Sequence, residues 1–210
     1  IRSAQLGLDT IVVEGDKAGG TCLIRGCIPS KAIIHAAERF ESLRQHSAEG
    51  GHMGLFVKGD AEVDMGELVS WKDAIVDRLN KGVEGLLKAA GADLIKGWAS
   101  FDGPKSCTID TGGDSVKIEA ENVIIATGSS HIDLPFMPCD EELVLSSTGA
   151  LDLESLPKSV AIVGGGYIGL ELGCALAKLG SEVTVVEGMS SILAIMDKEI
   201  RRPLELWLKK

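Results

Sequence analysis

Val160-Ala161-Ile162-Val163 is an unbroken apolar run that leads directly into Gly164-Gly165-Gly166-Tyr167-Ile168-Gly169. Glycines at that spacing after a strand-like run let the backbone turn sharply and enter a helix with no side chains in the way. An apolar stretch of helical period continues to Leu179, and a second strand-like run over 182–186 leads to Glu187, eighteen residues beyond Gly169. Strand, glycine turn, helix, strand and terminal carboxylate make one βαβ unit, which commits this part of the chain to an open α/β sheet. Bare backbone at a helix N-terminus suits a pyrophosphate, and a strand-ending carboxylate suits a ribose hydroxyl. Gly164, Gly166, Ile168, Gly169 and Glu187 are therefore candidate dinucleotide contacts. A carboxylate at 187 accepts from a 2′-hydroxyl and repels a 2′-phosphate, and no Lys or Arg occurs over 188–197 to offset it. The expected nucleotide is NAD rather than NADP.

A similar pattern occurs earlier in outline. Residues 1–8 read as the end of a helix, 10–13 as a buried strand, and Glu14 follows as a carboxylate at the strand's end. Glu14 reads either as a second ribose ligand or as an ordinary solvent-facing acid. Helices are expected over 27–43 and 65–90, the second with apolar residues close to a 3.6-residue period, and a glycine-rich loop over 49–60. Strands are expected over 93–98, 106–109, 115–118 and 122–126, the middle pair joined by the turn-forming Thr111-Gly112-Gly113-Asp114. This predicts a small antiparallel layer attached to a parallel sheet. An amphipathic run occupies 198–210.

Gly19-Gly20-Thr21-Cys22-Leu23-Ile24-Arg25-Gly26-Cys27-Ile28-Pro29-Ser30-Lys31 places two cysteines, separated by four residues, at the mouth of the first long helix. In a straight helix their Cα atoms would be about 8–9 Å apart, and a disulfide needs less than about 7 Å. Pairing would require a distorted first turn, which Gly26 and Pro29 permit. Such a bond would be accessible and reducible, and a thiolate at a helix start is stabilised by the dipole. The plainer reading is a pair of reduced thiols that fill a core.

The flanking residues resemble the redox-active motif of the class I pyridine nucleotide–disulfide oxidoreductases. That resemblance implies two Rossmann-like domains, an FAD domain over 1–146 carrying a redox disulfide and the first part of an NAD domain over 147–210. It implies that Cys22 exchanges with a dithiol substrate and that Cys27 lies against the flavin. Lys31 and Glu171 match a pair that meets beside the flavin ring, and Tyr167 matches the residue covering the nicotinamide pocket. Gly20, Thr21, Ala99 and the strand-end residues Thr127, Gly128 and Ser129 match FAD contacts, with Glu14 on the ribose. The FAD glycine loop would then lie upstream of Ile1, and the general-base histidine near the far C-terminus of a homodimer. None of the four histidines matches that base, so this stretch alone is expected not to turn over. The chain departs from the common pattern at Ile24 and Arg25, between the sulfurs. The Cys-Ile-Pro-Ser-Lys ending points to the dihydrolipoyl-oxidising branch, so the implied partner is the lipoyl domain of a 2-oxoacid dehydrogenase acyltransferase. Mercuric or glutathione reductase is the alternative within the family, and a scaffold without turnover the alternative outside it.

Composition narrows the remaining classes. A net charge of −10 argues against nucleic acid as a partner. No apolar run approaches the length of a membrane span. Cys107, Cys139 and Cys174 read as buried or strand-lining thiols. With no paired zinc spacing among the five cysteines, no metal is expected. The cysteine usage fits a reducing compartment, the cytoplasm or a mitochondrial matrix.

Overall fold

A computed structural model describes residues 1–47 and 53–208. The first half contains α1 (Arg2–Gln5), β1 (Ile11–Glu14), α2 (Gly20–Arg25), α3 (Cys27–Ser47), α4 (Met65–Ala89) and four strands: β2 (Asp93–Lys96), β3 (Trp98–Gly103), β4 (Ser106–Asp110) and β5 (Ser115–Glu119). The second half contains α5 (Ser147–Ala150), β6 (Ser159–Val163), α6 (Tyr167–Leu179), β7 (Glu182–Val186) and α7 (Lys198–Trp207). The chain forms two compact units, one of residues 1–24 and 74–130, the other of 25–73 and 131–210. Parallel strand pairs with helices, plus one antiparallel sheet, make this an α/β protein of the expected class.

In the first unit β1 pairs in parallel with β2, in register from Ile11 opposite Asp93 to Glu14 opposite Lys96. Ala18, Leu87 and Ala92 are buried together, with Val12, Val83 and Leu94 packed against them. The buried Asn80 side chain donates to the Ala18 carbonyl at 2.5 Å, so the loop after β1 is tied to α4 and a buried amide is satisfied. The expected strand over 93–98 is two strands. Gly97 has φ +156°, and a Cβ there would lie 2.4 Å from the Asp110 carbonyl oxygen. Only glycine allows that approach, so the chain turns there and Trp98 starts the antiparallel sheet β3-β4-β5.

Residues 122–126 were expected to form a strand and do not. They pair with no strand, and Ile124 and Ile125 are 82% and 73% exposed. An apolar run becomes a strand only when a neighbouring strand takes its N–H and C=O groups. Among the described residues β1 and β2 form a sheet of two, and neither pairs with this segment.

The second unit holds the larger core. Ile33 and Ala37 of α3 meet Leu172, Ala175 and Leu179 of α6, with Met65, Leu68 and Leu151 completing the cluster. Each such leucine stabilises the fold by about 1.5–3 kcal/mol relative to leaving it exposed. Lys72, with a side chain only 3% exposed, bonds to Asp152 and donates to the Leu151 carbonyl at 3.0 Å, which answers its buried charge. β6 and β7 pair in parallel, from Ser159 opposite Glu182 to Val163 opposite Val186. Gly166 is the N-cap of α6, and Gly180, at φ +122°, ends it. Of the helices read from the sequence, α3 runs four residues beyond the expected 43 and α4 stops one short of 90. The loop expected over 49–60 falls partly outside the described residues, as do the last two residues of the run over 198–210.

Candidate functional site

The glycine turn of the second unit is built by exclusion. A Cβ on Gly169 would lie 2.8 Å from Ile162 Cγ2 and 2.9 Å from the Gly164 carbonyl oxygen, so glycine there lets α6 press onto β6. A Cβ on Gly173, one turn on, would meet Ile162 and Val183 only at ordinary contact distance. Gly164 has φ +103°. At both Gly164 and Gly166 a side chain would project into open space, with nothing within 4 Å. The backbone amides at the start of α6 are therefore approachable, and no side chain caps them. That arrangement fits a phosphate group by hydrogen bonding and by the helix dipole. Tyr167 and Ile168, 56% and 46% exposed, form the rim of the turn rather than packing on the strand.

Glu187 follows β7 and is locked from two sides. One carboxylate oxygen accepts the Met189 N–H at 2.7 Å and the other the Gly165 N–H at 2.7 Å. These donors, Met189 first and Gly165 second, hold the carboxyl below its ordinary value of 4.5. It is therefore ionised at neutral pH. Gly165 belongs to the glycine run but is not among the contacts expected from the sequence. The missing signal is steric: a Cβ at 165 would lie 2.7 Å from Ile192 and 3.1 Å from Glu187.

Cys27 is the first residue of α3, the helix expected over 27–43, and Cys22 lies in the separate α2, with the break at Gly26. Both are exposed, and no disulfide joins them in this structure. Gly26 has no side chain to hold the helix phase, and Pro29 is tolerated in the first turn of α3, where its missing N–H costs nothing. Ser30 is buried behind Cys27 and its hydroxyl donates to the Cys27 carbonyl at 3.2 Å. One turn further, Lys31 Nζ donates to both oxygens of Glu171, each at 2.8 Å. The two residues are 140 positions apart, and the packing of α3 against α6 brings them together. α3, with Cys27 at its start, is thus bonded to the helix that begins at the glycine turn.

The first unit gathers another set. Glu14 closes β1 and accepts the Asp16 N–H at 2.9 Å. Gly20, at φ +74°, opens α2, and the next residue, Thr21, accepts the Ser129 N–H on its hydroxyl at 3.2 Å. A Cβ on Gly128 would lie 2.7 Å from that hydroxyl, and its φ is +79°. Thr127, Gly128 and Ser129 were expected at a strand's end and stand in irregular backbone, with Thr21 as their anchor. Ala99 lies on β3 opposite Ile109 and is exposed, and no feature of it beyond position marks a ligand. Of the other thiols, Cys107 lines β4, Cys174 lies in α6 and Cys139 in an irregular segment, all half-buried.

The sequence pattern of the pyridine nucleotide-disulphide oxidoreductases matches residues 1–210. The chain belongs to that family. Curated relatives include the dihydrolipoyl dehydrogenase of Pseudomonas aeruginosa, 48% identical over 211 residues, spanning 100% of this chain and 45% of that protein. That of Halobacterium salinarum is 46% identical over 207 residues, 97% of this chain and 42% of the relative. The chain spans less than half the length of these relatives. Among solved structures, the HOCl-induced flavoprotein disulfide reductase RclA of Escherichia coli matches with TM-score 0.79 and 29% identity over 99% of this chain and 43% of that one. LpdA of Mycobacterium tuberculosis matches with TM-score 0.82 and 25% identity, over 96% and 43%. No helix among the described residues is long and apolar enough to cross a membrane.

Proposed function

We propose that this chain is the nucleotide- and disulfide-bearing part of a dihydrolipoyl dehydrogenase, oxidising the dithiol of a lipoyl domain in a 2-oxoacid dehydrogenase complex with NAD. The observation that carries the reading is the Lys31–Glu171 bond. It fastens the helix of one redox cysteine to the helix of the glycine turn, so thiol and nucleotide chemistry share one rigid element pair. The identity of 48% to a dihydrolipoyl dehydrogenase supports that branch over mercuric or glutathione reductase.

In the reaction, one thiolate of the dihydrolipoyl group attacks the Cys22 sulfur of a Cys22–Cys27 disulfide. A mixed disulfide forms at Cys22, and Cys27 leaves as thiolate. The second lipoyl thiol displaces Cys22, which closes the lipoyl disulfide and leaves both cysteines reduced. FAD supplies the two-electron relay from this dithiol to NAD. Cys27 is suited to be the leaving thiolate because it begins α3, where the helix dipole favours negative charge. The Lys31 ammonium adds positive charge one turn away, and Glu171 holds it in place. Gly164–Gly166 and the start of α6 would receive the NAD pyrophosphate. The ionised Glu187 would accept from the ribose hydroxyl and repel a 2′-phosphate. Glu14, the Thr21–Ser129 corner and Gly128 would serve FAD. The whole enzyme would be a homodimer in a reducing compartment, with the histidine base and domain boundaries at 146 and 147 following the family pattern.

The test uses an intact polypeptide of the relatives' length. Dihydrolipoamide added anaerobically should bleach the flavin band, and NAD should then be reduced stoichiometrically. A flavin that stays oxidised under dihydrolipoamide but is reduced by NADPH would overturn the assignment.

A further inference from the structure

Residues 131–139, His-Ile-Asp-Leu-Pro-Phe-Met-Pro-Cys, share no residue with the glycine turn, the cysteine pair or the Lys31–Glu171 bond. Yet three side chains of different donor type converge there. One ligating atom each from His131, Asp133 and Cys139 lies within 4.8 Å of the other two. His131 Nε2 stands 3.4 Å from Asp133 Oδ1, and the same oxygen accepts the Cys139 N–H at 3.0 Å.

The backbone holds this arrangement from both sides. Met137 N–H donates to the Leu134 carbonyl at 2.9 Å, closing a tight turn between the donors. Pro135 fixes φ within that turn and Pro138 just after it. Immediately after Cys139, Asp140 Oδ1 accepts the N–H groups of Glu142, Leu143 and Val144 at 2.9, 2.9 and 2.8 Å. Little chain freedom is left to lose when a ligand draws the three donors together.

We propose that His131, Asp133 and Cys139 form a binding site for a borderline-soft divalent cation, zinc being the best match. Zinc bonds of about 2.0–2.3 Å in tetrahedral geometry put ligand atoms about 3.3–3.6 Å apart. The His131–Asp133 separation of 3.4 Å already has that value. The Cys139 sulfur closes the rest by a side-chain rotation. Imidazole and thiolate select zinc over magnesium or calcium, which take oxygen donors. On binding, Cys139 gives its thiol proton to solvent as the sulfur–metal bond forms, and no electrons move. Three protein donors leave the fourth position to water, so the bound ion is exchangeable. The pattern escaped the sequence because His-x-Asp-x5-Cys is not one of the paired spacings by which zinc sites are read.

The test is zinc titration of the full chain, monitored by competition with a chromophoric chelator under reducing conditions. Cys22 and Cys27 are both replaced by Ser so that they do not compete. One zinc per chain is expected, and His131→Gln or Cys139→Ser should each weaken it at least about tenfold. Cys107→Ser and Cys174→Ser should leave it unchanged. Cobalt in place of zinc should give a thiolate-to-metal charge-transfer band, which needs no folded variant to interpret. Unchanged affinity in Cys139→Ser or His131→Gln, a cobalt complex without that band, or equal binding of magnesium would each overturn the proposal.

Discussion

Glu14 in the first unit and Glu187 in the second stand at the same place in their local pattern, just at the end of a parallel strand. Each accepts the N–H two residues on, Asp16 at 2.9 Å and Met189 at 2.7 Å. Among the described residues that is the Glu14 side chain's hydrogen bond, whereas Glu187 has a second, from Gly165 at 2.7 Å. The difference comes from β6. A glycine turn 22 residues earlier in the chain is brought beside Glu187 by the β6–β7 register. A strand-ending acid is thus made by its strand, but it is positioned by the loop of the neighbouring strand. The cysteines divide along the same line, with Cys22 in the first unit and Cys27 in the second.

That division can be broken most forcefully at the sulfurs. In the intact enzyme, Cys22→Ser and Cys27→Ser should each lower dithiol-driven NAD reduction by about a thousandfold or more, as expected when a bond-forming group is lost. Cys22→Ser should retain a long-wavelength charge-transfer band between the Cys27 thiolate and flavin, and Cys27→Ser should lack it. Identical spectra for the two variants would erase the distinction between the units' cysteines.

A smaller effect separates the two kinds of glycine. Gly169→Leu should destabilise the protein by about 3 kcal/mol, because its side chain would meet Ile162 and the Gly164 carbonyl in a packed layer. Gly20→Ala has open space around it and meets only the strain of φ +74°, so about 1–2 kcal/mol is expected. Denaturant midpoints measured at constant slope would show this order, and a reversed order would mean the second turn is not close-packed.

The glutamates themselves come next. Glu187→Ala should weaken NAD by about 1–3 kcal/mol and relax discrimination against NADP. Glu14→Ala should leave the NAD KM unchanged and shorten FAD retention instead. Parallel kinetics with both nucleotides and a flavin-release assay would sharpen or dissolve the comparison.

The smallest effect is on pH. Since the folded Glu187 carboxyl lies below 4.5, its contribution to stability is present above that value. It is lost as pH falls below 4.5 through the folded value. Acid unfolding of Glu187→Gln should therefore show a shallower dependence than the parent in that window, while the two curves run parallel near neutrality. Equal slopes throughout would mean the two N–H donors do not hold the carboxylate in solution.

The reading from sequence was strongest where the cause is local. Glycine spacing, helical period and the turn at Thr111–Asp114 need only near neighbours, and α6, β7, β4 and β5 formed where expected. It failed at 122–126, where apolar character predicted a strand but pairing needs a partner from elsewhere in the chain. The helix expected from residue 27 begins at Cys27, but the separate short helix that holds Cys22 went unread. Cys139 was read as a buried or strand-lining thiol; it is half-buried in irregular backbone, and its place beside His131 and Asp133 was not legible from the spacing.

The amino-acid sequence by itself determined the βαβ turn over 160–187, because the positive φ at Gly164, the close approach at Gly169 and the apolar strands around them act within a few residues. It also determined that a carboxylate follows β7. Only the tertiary structure decided what that carboxylate touches, because the Gly165 amide reaches it through sheet register rather than through adjacency. The same holds for Lys31 and Glu171, 140 residues apart and joined at 2.8 Å. Their bond exists because buried apolar faces of α3 and α6 pack together, and burial of surface, unlike a turn, is a property of the whole chain.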